Sequence, residues 1–226
     1  MSEMKTIKIK KGSPRFLRGL DSLEDINKWW VEHPQSIGIA FVGRSNVGKS
    51  SLVNTMFGAK TAKTAKTPGR TQKINVFSFV LENDETNFKF HLYDLPGYGH
   101  AKVSKAMGKN WREIMTEFFS HMNETSMLVN IQDARHPDQA SDKLFYEYIN
   151  AENVPIFLTF NKIDKLKTQK ERSALNKMKP KIFKDYSSVE QIHFVSAEKK
   201  DGVEALETSL ITFLRNQLDK VELNLS

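Results

Sequence analysis

The 226-residue sequence predicts an α/β domain whose mostly parallel sheet is wrapped by helices. Between residues 37 and 218, short apolar runs alternate with segments of helical spacing, the pattern of βα units sharing one sheet. One pair of alternating segments is joined by turn residues alone and reads as an antiparallel hairpin inside that sheet. The length suits a single α/β domain that buries a substantial core without covalent staples.

The elements follow in order. Residues 37–42, I-G-I-A-F-V, form a continuous apolar run that breaks at Gly43, as a buried parallel strand feeding a glycine loop would. After Gly48, the positions of Leu52, Val53 and Met56 give a helix that stops at Gly58. From residue 59 to 73 periodicity disappears and a loop is expected. Residues 74–81 and 88–93 make the hairpin, with Asp94 closing its second strand. Three strand and helix pairs come next, at 126–131 and 139–149, 154–160 and 169–178, and 191–195 and 203–218. In the last helix Val203, Leu206, Leu210, Phe213 and Leu214 trace one apolar stripe, with Asp201 as the expected N-cap. Residues 1–36 precede the first core strand and read as a basic extension packed on or flanking a domain of residues 37–220, with 221–226 as a tail.

Composition narrows the setting. The chain has no cysteine, which removes disulfides and thiolate metal sites and suits a reducing compartment. The N-terminus lacks an apolar signal region and no stretch approaches the length of a membrane span, so a cytoplasmic protein without a membrane partner is expected. Lys and Arg outnumber Asp and Glu by 34 to 27, a formal charge of +7, which favours polyanionic partners such as RNA.

Several motifs carry chemistry. G-R-S-N-V-G-K-S, comprising Gly43, Arg44, Ser45, Asn46, Val47, Gly48, Lys49 and Ser50 with Ser51 beyond it, matches the P-loop pattern between a strand and a helix. Such a loop turns backbone N–H groups toward phosphates and adds the field of a helix N-terminus. Lys49 would face the β- and γ-phosphates and the Ser50 hydroxyl would ligate Mg2+. D-L-P-G, made of Asp94, Leu95, Pro96 and Gly97, follows a strand end, where the carboxylate can hold Mg2+ through water and the glycine N–H can meet the γ-phosphate. N-K-I-D, with Asn161, Lys162 and Asp164, lies at the carboxyl end of another strand, where open α/β sheets bind ligands. A carboxylate there accepts from guanine N1–H and its 2-amino group, and adenine offers neither donor. Lys162 would lay its stem along the base and Asn161 would tie this loop to the P-loop. Ser196, Ala197 and Glu198 follow a further strand, where a backbone N–H could reach the guanine O6. Thr71, preceded by Gly69 and Arg70 in T-P-G-R-T-Q, is the candidate for the second hydroxyl on Mg2+. Lys49, Thr71 and Gly97 are therefore the candidate catalytic groups, and GTP or GDP with Mg2+ the expected ligands.

Taken together, G-R-S-N-V-G-K-S-S-L-V-N, T-P-G-R-T-Q, D-L-P-G-Y-G, N-K-I-D and V-S-A resemble the five signatures of translation-associated GTPases. T-P-G-R-T-Q with D-L-P-G-Y-G is similar in particular to the EngB (YihA/YsxC) ribosome-biogenesis GTPases, and the resemblance spans nearly the whole chain, including S-P-R-F in the extension. It implies a Ras-like P-loop GTPase domain, a six-stranded mostly parallel sheet with one antiparallel strand and helices on both faces. It also implies Mg-dependent hydrolysis of GTP to GDP and phosphate, a monomer acting as a switch in large ribosomal subunit assembly, and a link to cell division and septation. One departure is Asn161, where family members usually carry Thr. Tyr98 stands where Ras-like enzymes carry the glutamine that orients water, so slow intrinsic hydrolysis is expected. Asn46 is the candidate ligand of a K+ ion beside the phosphates, by resemblance to GTPases with Asn at this place.

The cations fall in clusters: Lys5, Lys8, Lys10, Lys11, Arg15 and Arg18 in the extension, Lys60, Lys63, Lys66, Arg70 and Lys73 in the loop, and Lys102, Lys105, Lys109 and Arg112 after Tyr98. Contact with rRNA phosphates is the expectation for them. Trp29, Trp30 and Trp111 read as packing residues. The alternative is a GTP-dependent RNA- or protein-binding module with negligible turnover.

Overall fold

The computed structural model describes residues 7–59, 61–62, 73–83, 86–98, 105–122, 125–150 and 154–225. Its strands are β1 Lys8–Ile9, β2 Arg15–Leu20, β3 Gly38–Gly43, β4 Ile74–Glu82, β5 Asn87–Asp94, β6 Ser126–Asp133, β7 Ile156–Asn161 and β8 Val189–Phe194. The helices are α1 Leu23–Glu32, α2 Lys49–Phe57, α3 Lys105–His121, α4 Ala140–Asn150, α5 Gln169–Lys177, α6 Lys179–Asp185 and α7 Val203–Leu225. Six strands run in the order β4-β5-β3-β6-β7-β8, parallel throughout except at the β4–β5 hairpin. This is the α/β arrangement expected for a P-loop GTPase. The extension enlarges the sheet to eight strands, because β1 and β2 both pair antiparallel with β4.

Side-chain alternation divides the core between the two faces of the sheet. In β3, Ile39 and Phe41 face α2 and α7, while Ala40 and Val42 belong to the other layer, which holds α1, α3 and α4. Every residue of β3, β6 and β7 is buried, as strands covered on both faces require. The α7 stripe packs as expected, with Val203, Leu206, Leu210 and Leu214 buried and Phe213 partly so.

Three helices were not legible in the sequence, and one cap is corrected. α1 starts at Ser22, whose hydroxyl accepts from the Asp25 N–H at 3.1 Å, and it buries Ile26, Trp29 and Trp30. α3 carries Gly108 and Asn110, poor helix formers that obscure its pattern, yet Ile114, Met115, Phe118 and Phe119 pack fully into the core. α6 begins with Pro180 in its first turn, directly after α5. At α7 the residue before Val203 is Gly202, with φ +68°, so Asp201 is not the cap. A Cβ on Gly202 would lie 2.1 Å from the Phe194 carbonyl oxygen, and glycine alone fits.

Candidate functional site

The phosphate-facing loop is set by close backbone approach. A Cβ on Gly43 would stand 2.4 Å from the Ile131 carbonyl oxygen, so β3 can leave the sheet beside β6 only as glycine. Asn46 and Gly48 take left-handed φ of 65° and 93°, and buried Val47 anchors the turn between them. α2 then starts at Lys49 with no side-chain cap on its N-terminus, which leaves the first-turn N–H groups to an anion. Lys49, Ser50 and Ser51 follow in that turn. The Lys49 ammonium touches the Asp94 carboxylate at the end of β5, bringing the second motif against the first. The Ser50 hydroxyl and the Asp94 carboxylate are hard oxygen donors, few in number, and so fit Mg2+, which keeps most of its waters. Asn46 is exposed at the rim of this loop.

Asn161 is the joint of the guanine end. It is 1% exposed, and its amide donates to the carbonyls of Val47 at 3.0 Å and Gly48 at 3.5 Å. Its oxygen accepts from the N–H groups of Lys162 at 2.8 Å and Ala197 at 3.0 Å. The P-loop, the end of β7 and the loop after β8 thus meet on one side chain. The Ala197 N–H donates to the Asn161 amide oxygen and the Lys199 N–H to the Ser196 hydroxyl, which fixes the loop after β8 against the end of β7. The Ser196 hydroxyl donates to Asp164 at 2.6 Å, and with Lys165 at 3.1 Å it holds the carboxyl below its usual range. A charged, oriented acceptor results. Gly48, Ser51, Asn161, Lys162, Asp164, Ala197 and Glu198 line a cleft of about 310 Å³.

Arg135 also lines that cleft and was missed in the sequence, because D-A-R-H-P matches no motif. Its guanidinium grips Asp133 with Nε at 2.9 Å and Nη2 at 2.7 Å. Burial opposes the Asp133 charge, but Arg135 and Lys162 together hold its carboxyl well below the ordinary range. Lys162, in a left-handed conformation of φ 69°, donates to Asp133 at 3.0 Å and to the Asn46 carbonyl, which draws its stem across the cleft.

After Asp94 the chain runs through buried Leu95 and Pro96 to Gly97, where a Cβ would meet the Gly43 carbonyl at 3.0 Å. Tyr98 stacks its ring on Phe145 with centroids 4.5 Å apart. Its hydroxyl donates to Asp142 at 2.9 Å and accepts from Asn130 at 3.0 Å. Arg44 likewise points its side chain at Asp142, 2.9 Å away, and at the His136 carbonyl, leaving only its backbone to the phosphates. Gly69, Arg70 and Thr71 lie outside the described residues, as do Lys5, Lys60, Lys63, Lys66 and Lys102. Among the described residues no helix is long and apolar enough to cross a membrane.

Comparison with known proteins matches residues 38–162 to the family described as 50S ribosome-binding GTPase. A relative named Probable GTP-binding protein EngB in Prosthecochloris aestuarii is 42% identical over 67% of this chain and 78% of its own. Another of the same name in Photorhabdus laumondii is 34% identical over 95% of this chain and 98% of its own. Among solved structures, Era in complex with MgGDPNP and nucleotides 1506–1542 of 16S ribosomal RNA aligns with a TM-score of 0.62 at 26% identity, covering 77% of this chain and 55% of that one.

Proposed function

We propose a nucleotide-driven switch on one premise: this chain belongs to the EngB family of GTP-binding proteins, within the 50S ribosome-binding GTPases. In this reading it binds GTP with Mg2+, hydrolyses it slowly to GDP and phosphate, and acts on the large ribosomal subunit during assembly in the cytoplasm. A link to cell division would follow from that role. The observation that carries the nucleotide reading is the Asn161 joint beside the Ser196-oriented Asp164 carboxylate. A fixed, charged acceptor facing a cleft suits the paired donors of guanine, and a base lacking them would desolvate that carboxylate without adding hydrogen bonds to it.

Mg2+, held by the Ser50 hydroxyl and through water by Asp94, would supply positive charge that neutralises the phosphates. The chain's own groups do the rest. Lys49 adds a positive charge, the N-terminus of α2 directs N–H groups, and Gly97 presents an N–H at the γ-phosphate position. Thr71 is proposed as the second hydroxyl on the metal. Slow turnover is supported by Tyr98, whose hydroxyl is committed to Asp142 and cannot orient water. The same observation favours the second reading, a binding module with negligible turnover, and single-turnover hydrolysis with and without ribosomal subunits separates the two. The large subunit is the proposed partner because the matched family is described as binding 50S ribosomes. Era, which shares this fold over part of its length, has been solved in complex with 16S ribosomal RNA, which supports a ribosomal RNA partner in general.

The test is co-sedimentation with large ribosomal subunits, with the protein loaded with GDP or a non-hydrolysable GTP analogue. Binding that requires the analogue supports the switch. Equal binding in both states, or none, removes the ribosome as the partner that reads the nucleotide.

A further inference from the structure

We infer that Tyr98 and Asp142 are positioning residues that hold Gly97 against the P-loop and so set the affinity for GTP relative to that for GDP. This rests on the nucleotide reading above, in which the Gly97 N–H meets the γ-phosphate. Asp142 sits on α4, remote from every phosphate motif in sequence, and is 0% exposed. A buried carboxylate persists only where it is paired and hydrogen-bonded. Two of its partners come from the two phosphate-facing loops. Arg44 Nε and the Tyr98 hydroxyl both donate to the same Oδ1, each at 2.9 Å, while Oδ2 accepts from the Gln139 N–H at 2.9 Å.

One oxygen therefore ties the P-loop to the residue after Gly97. Around it the placement of Tyr98 is over-determined: its ring stacks on Phe145 at an interplanar angle of 5°, and Asn130 donates to its hydroxyl. Its N–H reaches back to the Gly43 carbonyl at 3.4 Å, in register with a bridge between Arg44 and Tyr98. Burial raises the Tyr98 hydroxyl well above its ordinary pKa, with Asp142 adding to the rise, so the phenol stays a proton donor. Gly97 is then fixed from its C-terminal side by a side chain anchored on α4, and from below by the P-loop backbone.

The consequence is selective. GDP carries no γ-phosphate and makes no contact that depends on Gly97, so loss of the Tyr98 anchor should cost GTP and spare GDP. Without the anchor, Gly97 must be ordered at the moment GTP binds, and that ordering weakens affinity. Loss of a hydrogen bond to a charged group in this place corresponds to about tenfold.

Tyr98→Phe removes the hydroxyl and keeps the stacked ring. Affinities of wild type and variant for fluorescent GDP and for a fluorescent non-hydrolysable GTP analogue, both with Mg2+, give the ratio that decides. The expected result is analogue binding weakened about tenfold with GDP binding changed less than about twofold. An unchanged ratio, whether both affinities hold or both fall together, overturns the inference. Asp142→Asn, which also withdraws the charge paired with Arg44, is expected to weaken both nucleotides through the P-loop. A D142N protein that binds both as wild type does would equally overturn it. Failure of the wild type to bind either nucleotide would instead defeat the nucleotide reading itself.

Discussion

Two residues show how single positions constrain this molecule. Gly48 combines φ +93° with a hypothetical Cβ only 2.5 Å from Asn161 Nδ2, so Gly48→Ala is strained in backbone and collides with the joint of the site. Nucleotide affinity measured by fluorescence titration is expected to fall at least about a hundredfold, consistent with strain and lost hydrogen bonds of about 3 kcal/mol. His91 illustrates a charge held off by its surroundings. Burial, with His33 and Lys89 nearby, lowers its pKa to about 4, while its Nδ1 lies 2.7 Å from the Ser36 hydroxyl. Between pH 6.5 and 4 the unfolded chain binds the proton and the folded chain does not, so stability is complete above the unfolded pKa and declines as pH falls through that window. The share from His91 is at most about 3 kcal/mol, because the ring is partly solvated. Urea midpoints at pH 7 and pH 5 are expected to differ less in His91→Asn than in wild type.

At the scale of elements, the N-terminal segment is the part whose packing departs most from its sequence appearance. β1 and β2 cover the free edge of β4, an arrangement that keeps an exposed strand from pairing with another molecule. Leu20, Ile26, Trp29 and Trp30 enter the core, with Trp29 donating to the Tyr93 hydroxyl at 3.3 Å and stacking on His33 at 3.7 Å. Removing one buried tryptophan costs about 3–5 kcal/mol, against a total stability of about 5–15 kcal/mol. A chain lacking residues 1–36 is therefore expected to show no cooperative thermal transition by circular dichroism. A sharp transition near that of the full chain would make the segment a separable appendage after all.

For the whole molecule, the net charge of +7 sets the character of association with an RNA surface. Some cations are already paired: Lys10 with Glu82 at 2.9 Å and Arg18 with Glu32 at 3.0 Å. Others keep most of their exposure, among them Lys8 at 69% and Lys11 at 60%, with Glu82 and Glu207 only 3.9 and 4.0 Å away at their ends. If ribosome association uses phosphate contacts, log affinity falls linearly with log salt, by about 0.7 to 0.9 for each phosphate neutralised. Co-sedimentation repeated across salt concentrations is expected to show such a slope in the GTP-analogue state, and a flat response would assign the contact to protein surfaces instead.

Contiguous residues carried the phosphate loop, the D-L-P-G turn and the N-K-I-D motif, because each depends on local backbone shape at a strand end and is complete within a few positions. The alternation of strand and helix was legible for the same reason, since side-chain period is a local property. What the tertiary structure alone decided is where distant groups meet: Arg44 with Asp142, Asn161 with Ala197, Arg135 beside Lys162, and α1 against β5. None of these pairs is implied by spacing along the chain, because each needs the sheet to be assembled before a buried charge or amide can find the partner that makes its burial tolerable.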